Sequence, residues 1–273
     1  METSEYRENL ENIQEKLELL TRKWWFYLLF VLIQFVPPYA SKGFEPAETG
    51  MVTSEILSRS LAYSYPSAFP IFKIIPMIFV ISIVFLKNAV RRPFSVYVGI
   101  AYVLFAFLQN IAVTEKYGLG IITINLVMFC LVAAFWFWEA IIQKNDFTPR
   151  KQPVWKYWVI PAAFLAFWYP GSISGASIIP DFNPAYILTN VAGLTFCMMT
   201  PVYIAILTLY YPRINMVTLR VTSLVGVIIG IYNVLTNFIL YISLLWWNGV
   251  LHIPLLTISL YALILSFKKI PRA

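Results

Sequence analysis

The chain has 273 residues, of which 60% are hydrophobic and 12% charged, and its formal net charge is +7. A typical soluble domain carries about 25% charged residues, so this composition excludes an ordinary soluble protein. The apolar residues lie in long runs, and about 20 of them in one helix cross the hydrocarbon core of a bilayer. The chain supplies enough for eight crossings, which predicts an all-α integral membrane protein.

Residues 1–23 form a polar segment ahead of the first apolar run. Their apolar members recur at intervals of three and four between glutamates and are Tyr6, Leu10, Ile13, Leu17 and Leu20. This pattern is typical of an amphipathic helix with a narrow apolar seam. We predict a cytoplasmic helix that packs on its own chain, or binds a partner membrane subunit or a second copy. Neither a basic leader nor a small-residue cleavage site precedes the first run, which predicts an uncleaved first helix.

Eight apolar segments follow in chain order and are predicted to span the membrane. They are residues 24–40, 67–87, 94–113, 118–142, 156–170, 185–211, 220–246 and 249–267. Basic residues collect on the cytoplasmic side of membrane proteins. With the N-terminus inside, all but four of the 20 lysines and arginines fall on that side, the four being Lys42, Arg59, Lys73 and Lys116. We therefore predict a multi-pass protein of the cell membrane with both termini in the cytoplasm.

The positive charge has an explanation in this topology. It favours contact with the lipid bilayer, and we read no nucleic-acid site in it. Glu139, near the cytoplasmic end of the fourth predicted span, follows Trp136 and Trp138. We predict that it is an interfacial charge beside an aromatic belt.

The two halves of the chain resemble one another in the order of their proline, glycine and asparagine residues. The matched pairs include Pro76 with Pro201, Gly99 with Gly226 and Asn110 with Asn237. We predict two tandem four-helix repeats in parallel orientation, at 24–143 and 157–267. A basic cytoplasmic linker at 144–156 joins them, and a basic tail at 268–273 follows. An even number of spans per repeat relates the copies by an axis along the membrane normal.

Both predicted repeats begin with a short helix and an irregular outer segment. Tyr157 to Pro170 gives 14 residues, about 21 Å of helix, which is less than the hydrocarbon thickness. We predict that residues 171–180 dip back into the outer leaflet and that residues 41–65 hold an interfacial helix. Paired interruptions of this kind point to a binding site in transporter-like folds. A structured outer cap is the alternative.

Polar side chains within the spans gather toward the non-cytoplasmic side. The predicted ligand-binding residues are Asn110, Asn237, Gln109, Asn233, Asn190, Lys73 and His252. Such groups face a bundle interior or a water-filled cavity, because lipid offers them no partner. For any one amide, an interhelical hydrogen bond is the alternative. Lys73 is predicted either to extend to the outer interface or to pair with an acid beside the cavity. The candidate acids are Glu55, Glu115 and Asp181.

Few signatures of metal, cofactor or catalytic chemistry occur. Cys130 and Cys197 lack the paired spacing of a zinc site, and one histidine cannot supply bis-histidine ligation of a haem. We find no phosphate-binding glycine loop and no HExxH motif. No span carries two acidic residues at its centre, which argues against a proton- or sodium-driven carrier. No cofactor is assigned.

Two resemblances to known families bear on function. The order of Cys197, Asn233-Val-Leu-Thr-Asn237 and His252 resembles that of the exosortase and archaeosortase family of eight-span transpeptidases. Their catalytic set is a cysteine, an arginine and a histidine, but Thr236 stands where the arginine is expected. Tandem four-helix bundles are also similar to NrfD-type membrane subunits of respiratory oxidoreductases, which bind quinone. That likeness is architectural and matches no motif, so we assign no family.

Three functions stay open from the sequence. The first is binding or transport of a neutral or amphipathic small molecule in an outward-facing polar cavity between the two repeats. The second is a membrane subunit, quinone-reactive or not, of a larger respiratory or other complex. The third is an intramembrane enzyme that uses His252 with Cys197 or Asp181. Whether any reaction is catalysed stays open.

Overall fold

A computed structural model of the chain describes residues 2–174 and 177–268. The structure is 75% helical, in agreement with the predicted class. The helices are α1 (Glu2–Leu20), α2 (Trp24–Leu32), α3 (Thr49–Ser58), α4 (Phe69–Leu86), α5 (Arg91–Leu104), α6 (Thr123–Ile142), α7 (Val159–Trp168), α8 (Tyr186–Thr189), α9 (Phe196–Tyr210), α10 (Met216–Val234) and α11 (Ile242–Phe267). Of the predicted tail, residues 269–273 lie outside the described residues.

Several helices of the described chain are long and apolar enough to cross a membrane, which fits a multi-pass membrane protein. Four meet this test, and they are Pro66–Gln109, Thr123–Ile142, Met216–Leu240 and Ile242–Phe267. A fifth results if Tyr186–Leu194 and Phe196–Tyr210, which meet at 96°, count as one span. Two shorter apolar stretches are Trp24–Phe35 and Val154–Trp168.

The longest of these stretches folds back on itself. Pro66–Gln109 has 44 residues and would be about 66 Å long if straight, twice the hydrocarbon thickness. The ring of Phe79 in α4 stacks on the ring of Tyr97 in α5 with centroids 4.7 Å apart. Lys87, between the two helices, has a φ of 51°. The chain therefore reverses direction at Lys87, and α4 and α5 are two separate helices that touch through these rings.

Two small antiparallel sheets add to the helices. The first has the order β1 (Tyr39–Ala40), β3 (Gly118–Ile121), β2 (Ile111–Thr114), and the second pairs β4 (Gly171–Ser174) with β5 (Ser177–Pro180). Ile56 of α3 packs on Gly120 of the first sheet. The segment at 171–180, which is predicted to dip back into the outer leaflet, is a hairpin in its described part.

Several predicted span boundaries were wrong for identifiable reasons. The first apolar helix ends at Phe35 and not at residue 40, because Pro37 and Pro38 cannot continue a helix. The fourth begins at Thr123, since residues 118–121 form a strand. The last two helices meet at Tyr241, so Gly249 lies inside α11 and does not begin it.

Within each half, the third and fourth long helices pack closely at glycine. A Cβ atom on Gly99 of α5 would lie 2.7 Å from the Phe137 ring of α6. A Cβ atom on Gly230 of α10 would lie 2.9 Å from the Leu256 side chain of α11. The GxxxG pattern of Gly226 and Gly230 therefore serves packing within the chain.

The two halves share one apolar core and are joined by buried hydrogen bonds. Tyr102 of α5 contacts the Thr200 hydroxyl of α9 at 3.0 Å. The indole N–H of Trp136 in α6 donates to Thr222 Oγ1 of α10 at 3.1 Å. Polar groups that meet inside an apolar core fix one arrangement of the helices, because each would otherwise be unsatisfied.

Candidate functional site

Six residues from four helical segments form one hydrogen-bonded chain, which we call the amide network. Its members are Tyr169, Cys197, Asn233, Asn237, Asn248 and His252. Asn237 Oδ1 accepts from Asn248 Nδ2 at 2.8 Å, and Asn237 Nδ2 donates to the Asn233 carbonyl at 2.7 Å. Tyr169 donates to Asn248 Oδ1 at 2.9 Å. Asn233 Nδ2 lies 3.7 Å from Cys197 Sγ. Sequence reasoning placed Asn233, Asn237 and His252 together, and the structure does the same.

His252 holds an unused acceptor atom. Its side chain is 8% exposed, and Nδ1 lies 2.7 Å from the Asn248 carbonyl oxygen. A carbonyl can only accept, so Nδ1 carries the proton and Nε2 of the neutral ring is an acceptor. Within residues 2–174 and 177–268, no hydrogen bond reaches Nε2. The atom is therefore available to a ligand that donates a hydrogen.

A local change of helix geometry orients Asn237. Residues Leu235–Leu240 form a π-helical turn at the end of α10. Such turns widen the helix by one residue and often occur at functional sites. The turn directs Asn237 toward α11, where a Cβ atom on Gly249 would lie 3.0 Å from the Asn237 Cβ atom. Gly249 therefore permits the close approach on which the bond to Asn248 depends.

Two further predicted residues, Lys73 and Asn190, bind the end of α7. The Lys73 ammonium donates to the Phe167 carbonyl oxygen and lies 4.4 Å from the centroid of the Phe167 ring. Asn190 Nδ2 donates to the carbonyls of Trp168 and Tyr169 at 2.8 and 3.2 Å. The last carbonyls of a helix have no partner within it and carry partial negative charge. Lys73 and Asn190 therefore act as caps of the C-terminus of α7.

Both predictions for Lys73 were wrong. The side chain is 0% exposed and does not reach an interface. No carboxylate of the described residues lies within ion-pair distance of it. The helix end supplies the negative partner in place of Glu55, Glu115 or Asp181. The buried charge is satisfied by one carbonyl oxygen and by an aromatic face.

Asn110 and Gln109 of the first half lie outside the amide network. Asn110 Nδ2 donates to the carbonyls of Phe105 and Ala106 at 2.9 and 3.2 Å, which closes the π-helical turn Phe105–Gln109. Gln109 Oε1 accepts from the backbone N–H of Phe196 at 2.8 Å and so caps the start of α9. The predicted ligand set is thus divided into the network, the α7 cap and these two residues.

The catalytic candidates do not meet directly. Asp181 accepts from the Tyr186 hydroxyl at 2.6 Å and from the backbone N–H of Asn183 at 3.2 Å. Cys197 contacts Asn233 and not His252. In the part of the chain that the structure describes, no hydrogen bond joins His252 to Cys197 or Asp181.

Sequence reasoning missed two members of the network and one further capping residue. Asn248 links His252 to Asn237, and Tyr169 binds Asn248 from α7. Trp247 donates its indole N–H to the Pro170 carbonyl at 2.8 Å. Asn248 lies four residues before His252 in an apolar run, so it met the same criterion as the chosen asparagines. Nothing in the sequence pairs Tyr169 or Trp247 with a partner.

A second buried polar cluster lies where α1 meets α6 and α10. Glu139 is 1% exposed and accepts from the backbone N–H of Asn145 at 2.7 Å and from Asn215 Nδ2 at 2.8 Å. Trp138 donates to Gln14 Oε1 at 2.7 Å. The prediction of an interfacial Glu139 was wrong, because residues 143–146 fold over it. Its carboxylate is satisfied by amide N–H groups.

Arg220 is a buried cation beside this cluster. It is 0% exposed, and its guanidinium donates to Thr21 Oγ1 at 2.6 Å and to the Ser266 carbonyl at 2.7 Å. The Phe267 ring lies 5.2 Å from the guanidinium carbon. These contacts join the end of α1 to α10 and α11. Together with Gln14, they make α1 part of the folded core.

Two open grooves were found on the surface, and neither is lined by a predicted ligand-binding residue. The first has a volume of about 430 Å³ and is lined by Arg92, Pro93, Val96, Tyr97 and Ile100. The second, of about 360 Å³, lies between α7 and α11 and is named here the α7–α11 groove. Its lining residues are Trp158, Ala162, Leu165, Val250, Ile253, Pro254 and Thr257.

The amide network can offer both donors and acceptors but no full charge. Its groups are amide, phenol, imidazole and thiol, and these suit recognition of hydroxyl, amide or carbonyl groups. No family model, curated protein or solved structure matches the chain.

Proposed function

We propose that the protein crosses the cell membrane eight times, as two tandem four-helix repeats with both termini in the cytoplasm, and binds or transports a neutral or amphipathic small molecule. The amide network is the proposed site, and it faces the outer side. The observation that carries the proposal is the unused Nε2 acceptor of His252 at the end of a chain of neutral hydrogen-bonding groups. Polar side chains within the hydrocarbon region either form hydrogen bonds between helices or line a cavity.

Because the groups of the network are neutral, we expect its ligand to be neutral as well. Its described members include no carboxylate and no ammonium group, so an ionic ligand would be left without a counter-charge, which is costly inside a membrane. Lys73 is not a member of the network, and its charge is taken up by the Phe167 carbonyl and ring. A ligand with a hydroxyl or amide N–H group can donate to His252 Nε2.

Eight crossings are supported by the helix arrangement. The reversal at Lys87 divides Pro66–Gln109 into α4 and α5. Three more candidate crossings are α6, α10 and α11. The last three are the shorter apolar stretches Trp24–Phe35 and Val154–Trp168 and the bent helix pair that ends at Tyr210. An even number of crossings then places both termini on one side.

The repeat is supported by equivalent features in the two halves. The third helix of each ends in a π-helical turn, Phe105–Gln109 and Leu235–Leu240. The asparagine at or beside each turn is buried and donates to a carbonyl of its own helix. Gly99 and Gly226 in these helices both face the fourth helix of their half.

Orientation is tested with two introduced cysteines. Ser54 of α3 and Arg150 of the linker are both exposed. A maleimide that cannot cross the membrane should label S54C on intact cells, and should label R150C only after permeabilisation. The unmodified chain is the control, because Cys130 is half-buried and Cys197 buried. Labelling of R150C on intact cells would overturn the orientation.

The binding site is tested by native mass spectrometry of the purified protein, with any retained small molecule released and identified. Asn237→Leu and His252→Leu should each lose a neutral molecule that the wild type retains. Asn125→Leu is the matched control, since Asn125 lies on α6 and its side chain takes no part in the network. Equal retention by all variants would remove the network from the site.

One observation favours the alternative of a subunit of a larger complex. The apolar seam of α1 packs on the core through Leu17 and Leu20, while Tyr6 and Ile13 remain exposed. A partner chain or second copy would cover them. A double variant, Tyr6→Ser with Ile13→Ser, should then release a co-purifying subunit while the helical core is kept. For the third candidate, an enzyme, His252→Ala and Cys197→Ser should both abolish activity.

A further inference from the structure

Four cations from distant parts of the chain meet at one place, and we call them the basic patch. They are Arg22, Arg150, Lys156 and Lys268. Lys156 is half-buried, and the other three are exposed. The patch lies at the ends of three apolar stretches, which are Trp24–Phe35, Val154–Trp168 and Ile242–Phe267. In a membrane, such helix ends lie at the level of the lipid headgroups.

The buried guanidinium of Arg220 joins the two segments that carry Arg22 and Lys268. It donates to Thr21 Oγ1 at 2.6 Å and to the Ser266 carbonyl at 2.7 Å. Thr21 directly precedes Arg22, and Ser266 lies two residues before Lys268. Arg220 therefore holds the end of α1 and the end of α11 together, and it adds a fifth positive charge beside the basic patch.

Tyr211, directly after α9, brings the linker to the same place. Gln152 Nε2 donates to the Tyr211 carbonyl at 3.3 Å, and Lys156 Nζ lies 5.4 Å from the centroid of the Tyr211 ring. Burial raises the pKa of Tyr211, and the nearby charge of Arg22 opposes this rise. Arg22 from the end of α1 and Lys156 from the start of the α7 stretch therefore flank one aromatic side chain.

The cations of the basic patch lack a counter-charge. Arg150 and Lys268 lie close enough to Lys156 to repel its charge. Among the described residues, no carboxylate lies within ion-pair distance of any of the four cations. Glu18 acts on the neighbouring Arg220 from a greater distance. Like charges that the fold holds close together repel one another, and an anion from outside the chain would relieve this repulsion.

We propose that the basic patch binds the phosphate group of one anionic phospholipid, whose acyl chains lie along the apolar helices. Trp155 is 59% exposed and packs on Tyr261 of α11 beside the patch. Indole side chains favour the headgroup level of a bilayer, so a lipid is the anion within reach. A zwitterionic lipid carries its own cation and supplies no net counter-charge. The proposed orientation makes this the cytoplasmic leaflet, which is rich in anionic lipids.

The test is native mass spectrometry of the full chain in detergent, titrated with phosphatidylglycerol and, separately, with phosphatidylcholine. The first phosphatidylglycerol molecule should bind more tightly than phosphatidylcholine. A triple variant, Arg22→Gln with Lys156→Gln and Lys268→Gln, should bind phosphatidylglycerol about ten- to hundredfold more weakly, since each cation at a membrane surface contributes a factor of about five. The matched control removes the same charge from exposed positions outside the patch and should bind as the wild type does. Its changes are Arg7→Gln, Lys16→Gln and Lys87→Gln.

Three outcomes of this titration would overturn the proposal. Equal weakening in the control variant would show a general attraction of positive charge for anionic lipid. Displacement of phosphatidylglycerol by millimolar inorganic phosphate would show that the patch takes a soluble anion. A co-purifying chain that the triple variant releases would show that an acidic partner protein covers the patch.

A photo-cross-link on the unmodified protein decides the question if the triple variant does not fold. Phosphatidylglycerol with a diazirine near its headgroup should label residues 150–158 and 261–268 in bilayers. Labelling spread evenly over the exposed helices would contradict a defined site. A charge-preserving variant, Arg22→Lys with Lys156→Arg and Lys268→Arg, should bind within about threefold of the wild type, because the attraction depends on charge. Loss of binding in this folded variant would show that charge is not what the lipid recognises.

Discussion

Gln14 and Asn215 are 201 positions apart in the sequence and exchange two hydrogen bonds between their side-chain amides. Gln14 Nε2 donates to Asn215 Oδ1 at 3.0 Å, and Asn215 Nδ2 lies 3.4 Å from Gln14 Oε1. Asn215 also caps α10 by accepting from the backbone N–H groups of Val217 and Thr218. The start of α10 is therefore built on a residue of α1, and the N-terminal helix is part of the fold.

Gln14→Ala should lower the stability of the protein. The change leaves the Trp138 indole N–H without a buried partner and removes one of the partners of Asn215, and an unsatisfied buried group costs about 1–3 kcal/mol. Thermal unfolding in detergent, followed by circular dichroism, measures the effect. Asn12→Ala is the matched control, an amide on the exposed face of the same helix. Equal melting temperatures for the two variants would contradict the role of Gln14.

Lys73→Glu should prevent folding, while Lys87→Glu should be tolerated. A carboxylate at position 73 would face the Phe167 carbonyl oxygen with no donor, and an uncompensated buried charge is strongly destabilising. Lys87 is exposed. Monodispersity in size-exclusion chromatography distinguishes the two variants. A folded Lys73→Glu protein would show that the contact between α4 and the end of α7 is dispensable.

Gly226→Ala should separate α10 from α11. The added Cβ atom would lie 2.9 Å from Ser259 Cβ and closer still to its hydroxyl, and overpacking a core costs about 1–3 kcal/mol. Gly50→Ala serves as the control, because no atom lies within 4 Å of a Cβ there. Alanine is also the better helix former. The melting temperature should fall for Gly226→Ala and hold or rise for Gly50→Ala; the reverse order would contradict the packing.

Asp146, in the linker between the halves, makes stability depend on pH. Partial burial disfavours its charged form, but hydrogen bonds from Thr148, Asn88 and Arg213 outweigh this and hold the pKa of Asp146 below its usual range. A pKa that is lower in the folded than in the unfolded state adds stability above the unfolded value of about 4, and this stability is lost as the pH falls toward the folded value.

Asp146→Asn should therefore have a lower melting temperature than the wild type at pH 7. The difference between the two melting temperatures should become smaller below about pH 4. Melting curves from pH 3 to 8 give the comparison. Glu15→Gln, on the exposed face of α1, should follow the wild type throughout. A gap that stays constant with pH would show that the carboxylate charge does not stabilise the linker.

The apolar runs predicted most of the helices, and the rule that polar groups avoid lipid singled out some residues of the amide network. Asn233, Asn237 and His252 were found because each interrupts an apolar run. The hydrogen-bond partners of these buried groups could not be predicted. Lys73 and Phe167, for example, are 94 positions apart in the sequence, and the periodicity of apolar residues carries no information on such pairs. The burial of Glu139 likewise depends on residues 145 and 215. The strands at 111–121 were read as helix because they are short and apolar.

The end of α7 also implies an order of assembly. Its carbonyls at Phe167, Trp168 and Pro170 are satisfied by residues 73, 190 and 247. When α7 is synthesised, only Lys73 of these three residues has already been made. The other two carbonyls gain these partners only when the linker before α9 and then α11 have been made, and a nascent chain that stops short of residue 247 leaves the Pro170 carbonyl with the backbone N–H of Asp181, at 3.3 Å, in place of the shorter bond from Trp247. The last helix to be made completes a helix made some 80 residues earlier.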